Sequence, residues 1–315
     1  MPRTRVTAFA PATIANVGPG FDSLGVAIQR PGDRVTVEIV ARPGVAFAVR
    51  GSRAGLPARA ADNVAVHVAR LMLDEFAPGL GVKLTLAKGM PVGSGLGSSA
   101  ASSVATAVAM NALLPRPLKR ADLLRFAVEG ERKASGAPHA DNVAPALLGG
   151  ACLVRPGDPP DAVRLAAKDA FVWIVAHPRV VVKTATARKL LPRTVPLSLA
   201  VRQWANVGGV VAALVTGNAP LLGHSLEDSI VEPVRSRLIP CFYGVKEAAL
   251  AAGALGCSIA GSGPSVFAVV GVGGPARRVA NAMREAFRHE ARLRCELYVS
   301  RINLDGARLL GAAAR

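Results

Sequence analysis

The stretch PVGSGLGSSAASSVA, over residues 91–105, constrains the fold more than any other part of the chain. Gly93, Gly95 and Gly97 alternate with other residues and lead directly into small residues with helical spacing. Glycines permit positive φ angles and close approach of the backbone to a ligand. The helix that follows offers free N–H groups and the positive end of its dipole. The stretch therefore predicts a loop that binds phosphate.

This stretch matches neither of the two common nucleotide-binding loops. No lysine follows Gly97, as a Walker loop requires, and Ser98 stands where a Rossmann loop has its third glycine. Other residues or a metal must therefore balance the charge of a bound phosphate. A flexible Gly/Ser linker is the alternative, but linkers do not continue into Ala, Val and Met at helical spacing.

Length and composition indicate a folded protein of about two domains. Of the 315 residues, 51% are hydrophobic and 19% are charged, so a large core is possible and global disorder is excluded. The net charge of +17 attracts anions. The basic residues are spread along the chain, without an aromatic-rich RNA-binding signature or zinc-finger spacing. We therefore interpret the charge as general surface composition and expect no nucleic-acid partner.

The cysteine pattern and the apolar stretches predict a cytoplasmic protein. Cys152, Cys241, Cys257 and Cys295 form no CxxC motif, which indicates free thiols in a reducing compartment. The first residues lack the apolar core of a signal peptide. The uncharged stretches 89–115 and 203–226 are interrupted by Gly, Ser, Asn or Pro, so we expect helices and loops rather than membrane spans.

Hydrophobic patterning predicts a mixed α+β protein with two lobes. Residues 34–40, RVTVEIV, alternate as a half-buried strand does, and 45–49 follow a turn as a plausible partner strand. Helical spacing is clearest at 63–76, 98–114 and 276–291. The segment PGDPP at 156–160 is the best candidate for a linker. We expect domains at residues 1–158 and 159–315, with the glycine loop on the first.

Polar residues that could bind a ligand or take part in catalysis occur in separated segments. Asn16 and Asp22 flank a Val-Gly-Pro-Gly turn, as ligand contacts or simply as an Asx-stabilised turn. Glu131 fits a magnesium carboxylate. His139 lies two residues before Asp141, so a metal pair and an ordinary hydrogen-bonding histidine are both open, although the partners of a zinc site are lacking nearby.

Two arginines complete this set. Arg188 follows a buried strand and lies four residues after Thr184, and Arg235 belongs to the segment EPVR. The planar guanidinium group suits a carboxylate ligand. The alternative is that each arginine only solvates the surface.

Three segments of the chain, in this order, resemble the three motifs of the GHMP kinase superfamily: PATIANVGPGFDSLG, PVGSGLGSSAASSVA and AGSGPSVFAVV. Within the superfamily, the homoserine kinase branch is the most similar. The supporting patterns are PATxANxGxGFDxxG near the start, HxDNVAPxxLGG at 139–150, TxxARxxLP at 184–192 and EPxR at 232–235. The resemblance extends from about residue 5 to residue 270.

The resemblance implies a fold, a reaction and partners. The fold is α+β: a two-lobed GHMP kinase fold, with an N-terminal ribosomal-protein-S5-domain-2-like lobe and a C-terminal ferredoxin-like lobe. The reaction is ATP-dependent and Mg²⁺-dependent phosphorylation of the side-chain hydroxyl of L-homoserine, a step of threonine biosynthesis. The partners are these small molecules and, in a homodimer, a second copy. No membrane partner is expected.

The resemblance also implies site residues. Ser99 and Glu131 are expected to hold Mg²⁺, Asn63 to contact adenine, and the turn 261–265 to border the phosphate side of the cleft. The residues expected to bind the nucleotide phosphates are Pro91, Val92, Gly93, Ser94, Gly95, Leu96, Gly97, Ser98, Ser99, Ala100 and Ala101. Those expected to bind the amino acid are Asn16, Asp22, His139, Asp141, Arg188 and Arg235.

Roles within the amino-acid site follow from charge. The arginines are assigned to the carboxylate, Asp22 and Asp141 to the ammonium group, and Asn16 to the hydroxyl. Asp141, Asn16 and Arg188 are the catalytic candidates. Two mechanisms stay open, because Asp141 can act as the base or the proton can pass directly to a phosphate oxygen.

Two other functions are alternatives. One is another GHMP kinase that acts on a different small alcohol. The other is a non-catalytic relative that binds nucleotide or nucleic acid. The acidic residues Asp22, Glu131 and Asp141 argue against nucleic acid, because they would repel its phosphates.

Overall fold

The computed structural model describes residues 4–51, 55–57 and 59–311. In this part of the chain, eleven strands alternate with ten α-helices. The strands are β1 (Arg5–Ala15), β2 (Leu24–Val40), β3 (Gly44–Arg50), β4 (Gly81–Ala87), β5 (Ala151–Arg155), β6 (Asp161–Leu165), β7 (Phe171–Pro178), β8 (Gly256–Ile259), β9 (Val266–Gly271), β10 (Cys295–Arg301) and β11 (Arg308–Leu310).

The helices are α1 (Val64–Phe76), α2 (Ser98–Asn111), α3 (Leu124–Ser135), α4 (Val143–Leu148), α5 (Thr184–Lys189), α6 (Leu197–Thr216), α7 (Ala219–Ser225), α8 (Glu232–Arg235), α9 (Phe242–Ala251) and α10 (Ala276–Glu290). Short 3₁₀ turns lie at Ala60–Asp62, Arg120–Leu123 and Ser236–Leu238. The helices predicted at 63–76, 98–114 and 276–291 are confirmed, with small shifts at their ends.

The first lobe is built on a sheet of seven strands. Its main path runs β11-β1-β2-β4-β3, and β5 pairs with β2 and β6. The strand predicted at 34–40 is the second half of β2, where Val35 and Val37 are buried and Arg34 and Glu38 are exposed. This alternation packs one face of the sheet against α1, α2 and α3. The small side chains of α2 are buried almost all round, which lets neighbouring elements pack closely on it.

The second lobe has a four-stranded antiparallel sheet in the order β10-β7-β9-β8. With α9 and α10 as the connecting helices, this is the β-α-β-β-α-β arrangement of a ferredoxin-like unit, as expected. Both faces of the sheet are buried. Ile174 and Ala176 of β7 pack with α9 and α10, whereas Trp173 and Val175 point into the core shared with the first lobe.

Two predictions about the first sheet were wrong. Residues 45–49 do form a strand, β3, but it pairs in parallel with β4 and not with β2, because β4 lies between them. The segment PGDPP is not a linker but the turn of a hairpin between β5 and β6. The strands β6 and β11 follow residue 158 in the chain but belong to the first sheet, so the two sheets are not separated at that residue. The domain limits 1–158 and 159–315 stay a prediction.

One helix of the described chain, α6, is long and apolar enough to cross a membrane by length and composition alone. This is weak evidence, because core helices pass the same test. Only 28% of its most apolar window is buried, however, so much of α6 is an exposed apolar surface.

Candidate active site

A cleft of about 240 Å³ brings together residues from both lobes. The first lobe contributes the glycine loop, the ends of β1 and α3, and the turn after β1. The second lobe contributes α5, α8 and the turn between β8 and β9. The predicted site residues that line it are Asn16, Asp22, Val92, Gly93, Ser94, Gly95, Gly97, Ser98, Ser99, Glu131, His139, Asp141, Arg188 and Arg235.

The glycine loop forms one end of the cleft, which we call the phosphate end. Gly93, Gly95 and Gly97 have φ angles of 70°, 79° and 67°. A Cβ atom on Gly95 would lie 2.4 Å from the carbonyl oxygen of Ala260, and one on Gly97 would lie 2.2 Å from Thr13 Oγ1. Only glycine meets both requirements, a positive φ and this close packing. Gly97 is the N-cap of α2, so the free N–H groups of the helix face the cleft.

The second lobe supports this loop directly. Ser265 Oγ donates to the carbonyl oxygen of Ser94 at 2.6 Å, and His177 Nδ1 lies 3.1 Å from the same hydroxyl. From the first lobe, the N–H of Thr13 donates to the carbonyl oxygen of Leu96 at 3.1 Å. The turn predicted to border the phosphate side is thus hydrogen-bonded to the loop itself.

A buried ion pair lies beneath the phosphate end. Lys88 Nζ donates to Asp33 Oδ2 at 2.5 Å and to Ser98 Oγ at 2.7 Å. The Asp33 carboxylate also accepts from Ser102 Oγ at 2.7 Å and from the N–H of Gly89 at 3.0 Å. The sequence reasoning missed Lys88 because it searched for a lysine on the loop, whereas this one precedes the loop at the end of β4. A basic residue just before the glycines was the available signal.

Ser99 and Glu131 meet across α2 and α3 at the same end. Burial raises the pKa of Glu131 to about 7, while a hydrogen bond from Ser99 and the charge of Lys88 act in the opposite direction. Its Oε1 atom is buried and has no hydrogen-bond partner among the described residues. A buried carboxylate oxygen of this kind is poised to bind a cation.

The other end of the cleft, which we call the acceptor end, is a cluster of charged side chains. Arg188 Nη2 donates to both carboxylate oxygens of Asp22 at 2.8 Å. His139 Nδ1 lies 3.9 Å from Asp22 Oδ1 and 3.4 Å from Arg188 Nη2. Burial lowers the pKa of His139, which favours its neutral form. Arg188 faces the cleft, the role that its position after a buried strand made plausible, and its carboxylate partner there is Asp22.

The carbonyl oxygen of Gly261 joins the two lobes at this end. It accepts from Asn16 Nδ2 and from Arg235 Nη1, both at 2.9 Å. The side-chain oxygen Oδ1 of Asn16 in turn accepts from the N–H of Asp22 at 3.2 Å. The φ angles of Asn16, Val17 and Asp22 are 70°, 47° and 54°, values that residues other than glycine rarely adopt. Such backbone strain often marks a functional turn.

Three nitrogen atoms at the acceptor end are buried without a hydrogen-bond partner in the described chain: Nε of Arg188, Nε of Arg235 and Nε2 of His139. Both guanidinium groups lie near the ring of Phe21, whose centre is 5.3 Å from Cζ of Arg188 and 5.0 Å from Cζ of Arg235. The ring face attracts both cations and so supports two like charges in one place.

Asp141 lies between the two ends. Its carboxylate is buried, and burial together with the charges of Asp22 and Glu131 raises its pKa to about 7. The side-chain amide of Asn142 donates to it only at 3.4 Å. The carboxylate therefore carries a charge that a substrate cation would stabilise, or that can accept a proton near neutral pH.

The position of Arg235 depends on two residues that the sequence reasoning did not consider. Asp228 accepts from the N–H groups of residues 230, 231 and 232 and so holds the turn that leads into α8, which carries Arg235. Gln203 Nε2 donates to Asp228 Oδ1 and to the carbonyl oxygen of Pro19, both at 2.8 Å. Gln203 thus connects α8 to the turn that bears Asp22. No local sequence signal distinguishes it.

Several predicted residues lie outside the lining. Asn63 caps α1 by accepting from the N–H of Ala65 at 3.0 Å, so contact between its side chain and adenine stays a prediction. Leu96, Ala100 and Ala101 are buried in the core, where they support the loop from behind. Pro91 is half-buried just before the loop. No cluster of three or more metal-binding side chains occurs in the described ranges, so a zinc-like site at His139 has no support.

Family models, protein sequences and solved structures all relate the chain to the same family. The GHMP kinases N terminal domain family matches residues 63–150, and the GHMP kinases C terminal family matches residues 210–289. The chain is 42% identical to a homoserine kinase of Chlorobium phaeobacteroides strain BS1, over 97% of this chain and 99% of that protein. It is 40% identical to a homoserine kinase of Xylella fastidiosa strain M12, over 96% of this chain and 93% of that protein.

Solved structures agree. The crystal structure of homoserine kinase from Cytophaga hutchinsonii superposes with a TM-score of 0.93 at 45% identity, and the match covers 98% of both chains. Mevalonate kinase of L. major, at 18% identity, superposes with a TM-score of 0.74 over 96% of this chain and 98% of that one, and shares the fold alone. The resemblance predicted from three motifs is confirmed, and so is the predicted fold.

Proposed function

The chain belongs to the GHMP kinase family, and from this premise we propose that it transfers the γ-phosphoryl group of ATP to the side-chain hydroxyl of L-homoserine. The product is O-phospho-L-homoserine. The observation that carries the proposal is that one cleft holds both a glycine loop at a helix N-terminus and two guanidinium groups whose Nε atoms have no partner among the described residues. The first feature suits a triphosphate, and the second suits the carboxylate of a small acceptor.

The phosphate end is proposed to hold the triphosphate of ATP. The backbone N–H groups of Gly93–Ser99 and the N-terminus of α2 offer donors and a positive dipole. Because these donors are fixed by the lobes on either side, they need not rearrange when charge develops on the transferred group.

Ser99 and Glu131 are proposed as the Mg²⁺ ligands. The unpartnered Glu131 Oε1 and the neighbouring hydroxyl are hard oxygen ligands, which Mg²⁺ prefers together with phosphate oxygens and water. When bound, the ion supplies charge neutralisation at the phosphates. The loop carries no lysine, so a metal ion is needed to balance the negative charge of the phosphates, which fits this assignment.

The acceptor end is proposed to hold the amino-acid part of homoserine. Arg188 is already anchored to Asp22 through Nη2, which leaves Nε free to bind a carboxylate together with Nε of Arg235. Asp22 is largely neutralised by this pair. Asp141 is buried and has no basic side chain in direct contact within the part of the chain that the structure describes, so it gains more from the substrate ammonium group.

This arrangement favours a binding role for Asp141 over a role as base. A carboxylate that pairs with an ammonium group is a weak proton acceptor. Phosphoryl transfer requires mainly position and charge neutralisation, so the hydroxyl proton can pass to a phosphate oxygen. Asn16 is held by Gly261 and by the N–H of Asp22, and its second amide hydrogen is proposed to orient the hydroxyl.

Steady-state kinetics with a panel of acceptors test the proposal. With ATP and Mg²⁺, we expect kcat/KM for L-homoserine to exceed that for L-serine, which is one methylene shorter, by about 10- to 100-fold. L-threonine and mevalonate complete the panel. Faster turnover of mevalonate would assign the chain to a different alcohol. Salt-sensitive DNA binding without any phosphoryl transfer would support the non-catalytic alternative.

The metal assignment has its own test. In the Glu131→Gln variant we expect kcat to fall by about 100-fold or more and the Mg²⁺ concentration for half-maximal activity to rise. Glu129→Gln is the matched control, since that side chain lies on α3 and pairs only with Arg132 in the described chain. An unchanged Mg²⁺ requirement in Glu131→Gln would remove Glu131 from the metal site.

A further inference from the structure

The segment EPVR contains a buried acidic residue that the proposed site does not use. Its last residue, Arg235, faces the cleft, whereas its first residue, Glu232, lies outside the lining. Only 4% of the surface of Glu232 is exposed. Burial raises the pKa of its carboxyl group, because the charged form loses its hydration. A carboxylate in this place therefore costs free energy unless its neighbours compensate for it.

Both carboxylate oxygens of Glu232 accept hydrogen bonds from other elements of the second lobe. Lys246 Nζ, on α9, donates to Oε1 at 2.5 Å, and Ser258 Oγ, on β8, donates to Oε2 at 2.6 Å. The backbone N–H of Glu232 donates to Asp228 Oδ2 at 3.0 Å. We call the side chains of Glu232, Lys246 and Ser258 the α8 anchor. Together they fix the first residue of α8 to a helix and to a strand.

The α8 anchor and the contact made by Arg235 have the same offset along the chain. Glu232 contacts Ser258, and Arg235 contacts Gly261, so both pairs are 26 positions apart. Glu232 and Arg235 are three residues apart in a helical turn, which places their side chains on the same side. The first pair therefore sets the position of α8 along residues 258–261, and this position brings Arg235 to the cleft.

Arg235 requires such support from its surroundings. Its guanidinium group is buried, and the nearby positive charge of Arg188 repels it. Nη1 donates to the carbonyl oxygen of Gly261, while Nε has no partner among the described residues. Helix α8 has only four residues, too few for a helix to be stable on its own. Contacts outside α8 must therefore hold the backbone from which Arg235 extends.

A contribution to stability does not by itself explain the α8 anchor. Replacing a buried ion pair by apolar side chains of similar size is often neutral or stabilising, because both charges lose their hydration on burial. The best-attested use of such a pair is to select one arrangement among several. In this lobe, the arrangement that the ion pair selects is the one that places Arg235 at the acceptor end.

We propose that Glu232 is a positioning residue of the acceptor end, and that Lys246 and Ser258 hold it in place. The α8 anchor keeps Arg235 pre-organised for the carboxylate of the acceptor, so that binding does not have to immobilise a long side chain. Glu232 acts only through Arg235. The inference rests on the proposed function, because it takes Arg235 as a ligand of L-homoserine.

Steady-state kinetics of Glu232→Gln test this role. Glutamine keeps the size of the side chain and can still accept from Ser258, but it lacks the charge that pairs with Lys246. We expect KM for L-homoserine to rise about 10-fold, whereas KM for ATP and kcat should change less than about twofold. Glu247→Gln is the matched control, since this exposed side chain follows Lys246 on α9. An unchanged KM for L-homoserine in Glu232→Gln would overturn the proposal.

Variants of the two partners separate positioning from folding. Lys246→Met should raise KM for L-homoserine at least as much as Glu232→Gln, and Lys246→Arg, which keeps the cation, should stay within about threefold of the wild type. Ser258→Ala keeps the ion pair and should raise this KM about threefold, which provides a test even if Glu232→Gln does not fold. Circular dichroism melts are recorded for each variant. Lower melting temperatures with unchanged KM values would overturn the proposal, because the α8 anchor would then only stabilise the fold.

The double variant Glu232→Gln/Arg235→Met tests whether Glu232 acts through Arg235. If it does, KM for L-homoserine should equal that of Arg235→Met alone within about twofold, because the residue that Glu232 positions is already gone. A further 10-fold rise, about the full effect of Glu232→Gln, would mean that the two residues act independently and would overturn the proposal.

The wild-type chain distinguishes this inference from the proposed function. Phosphorylation of L-homoserine by the wild type, together with an unchanged KM in Glu232→Gln, would overturn the inference alone. A wild type that does not phosphorylate L-homoserine would overturn both. A crystal structure of Glu232→Gln gives a readout that needs no turnover. Arg235 Nη1 should no longer lie within hydrogen-bond distance of the carbonyl oxygen of Gly261, and an unmoved Arg235 would contradict the positioning role.

Discussion

The phosphate end and the acceptor end of the cleft are built by opposite means. At the phosphate end, backbone groups face the ligand, and positive φ angles at three glycines set their direction. At the acceptor end, long side chains from four separated segments of the chain converge on one place. The first kind of site depends on local geometry, and the second depends on how the lobes pack.

The two ends also differ in which buried polar atoms of the cleft lack a partner in the described chain: at the phosphate end it is Glu131 Oε1, an acceptor suited to a cation, whereas at the acceptor end they are nitrogen atoms. Thr13, Ser265 and Lys88 hold the glycine loop and the first turn of α2 by hydrogen bonds that need no ligand. At the acceptor end, the Nε atoms of Arg188 and Arg235 are buried without partners in the described chain. Buried groups left unpaired favour a ligand that pairs with them, and penalise one that does not. We therefore expect the acceptor end to determine which alcohol is used.

The largest effect should come from the buried pair beneath the phosphate end. Lys88→Met leaves the Asp33 carboxylate buried without its cation, and we expect the free energy of unfolding to fall by about 3–5 kcal/mol. Chemical denaturation monitored by circular dichroism measures this. The ATP KM should rise as well, because Ser98 loses its partner in the first turn of α2.

Two further variants make that result specific. Lys83→Met changes an exposed lysine of β4, the strand that ends just before Lys88, and its unfolding free energy should stay within about 0.5 kcal/mol of the wild type. Adding Asp33→Asn to Lys88→Met should restore part of the stability, because the uncompensated charge is removed. Equal losses for Lys83→Met and Lys88→Met would show that the buried pair does not support the phosphate end.

At the acceptor end we expect a substitution to change KM for the alcohol rather than KM for ATP. Arg235→Met should raise KM for L-homoserine by about 100-fold, equivalent to about 2.7 kcal/mol, while KM for ATP changes less than about threefold. The matched control is Arg237→Met, an exposed arginine two residues further along. An equal rise in both KM values would contradict the assignment of the two ends to different substrates.

Asp141 links the two ends and should make the ligand-free enzyme less stable at high pH. The pKa of Asp141 is raised to about 7 in the folded chain, from 3.8. Between these values the folded chain keeps a proton that the unfolded chain has released, so stability falls as pH rises from about 4 to 7. Asp141→Asn removes this loss, and we expect it to be more stable than the wild type at pH 8, by at most about 4 kcal/mol for a pKa raised from 3.8 to about 7. At pH 4 the two should melt together, and a constant difference across this range would contradict the assignment.

The same contrast explains what the sequence could predict. The glycine loop was recognisable because three alternating glycines before a small-residue helix have few other uses, and α2 begins at Ser98 as expected. The strand at 34–40 and the helix at 276–291 were recognisable from hydrophobic spacing alone. Local patterns fix local conformation, and these elements depend on little else.

What the sequence did not predict depends on contacts between distant segments. The parallel pairing of β3 with β4 and the return of β11 to the first sheet have no local signature. Arg188 and Asp22 are 166 positions apart, and their ion pair is visible only in the fold. The same holds for Lys88 with Asp33 and for Gln203 with Pro19. The resemblance to a family gave the acceptor residues, but not which of them contact each other.

The smallest effect should come from Phe21, and it tests whether the acceptor end needs its arginines held in place. The ring lies within about 5 Å of both guanidinium groups, so Phe21→Leu keeps an apolar side chain there but removes the attraction for the cations. At about 0.5–2 kcal/mol shared between two such contacts, KM for L-homoserine should rise about 2- to 30-fold. Phe21→Tyr keeps the ring and should stay within about twofold of the wild type. KM for ATP should not change in either variant, since the phosphate end is held by other contacts. If Phe21→Leu left KM for L-homoserine unchanged, Asp22 and Gly261 alone would suffice to position the arginines.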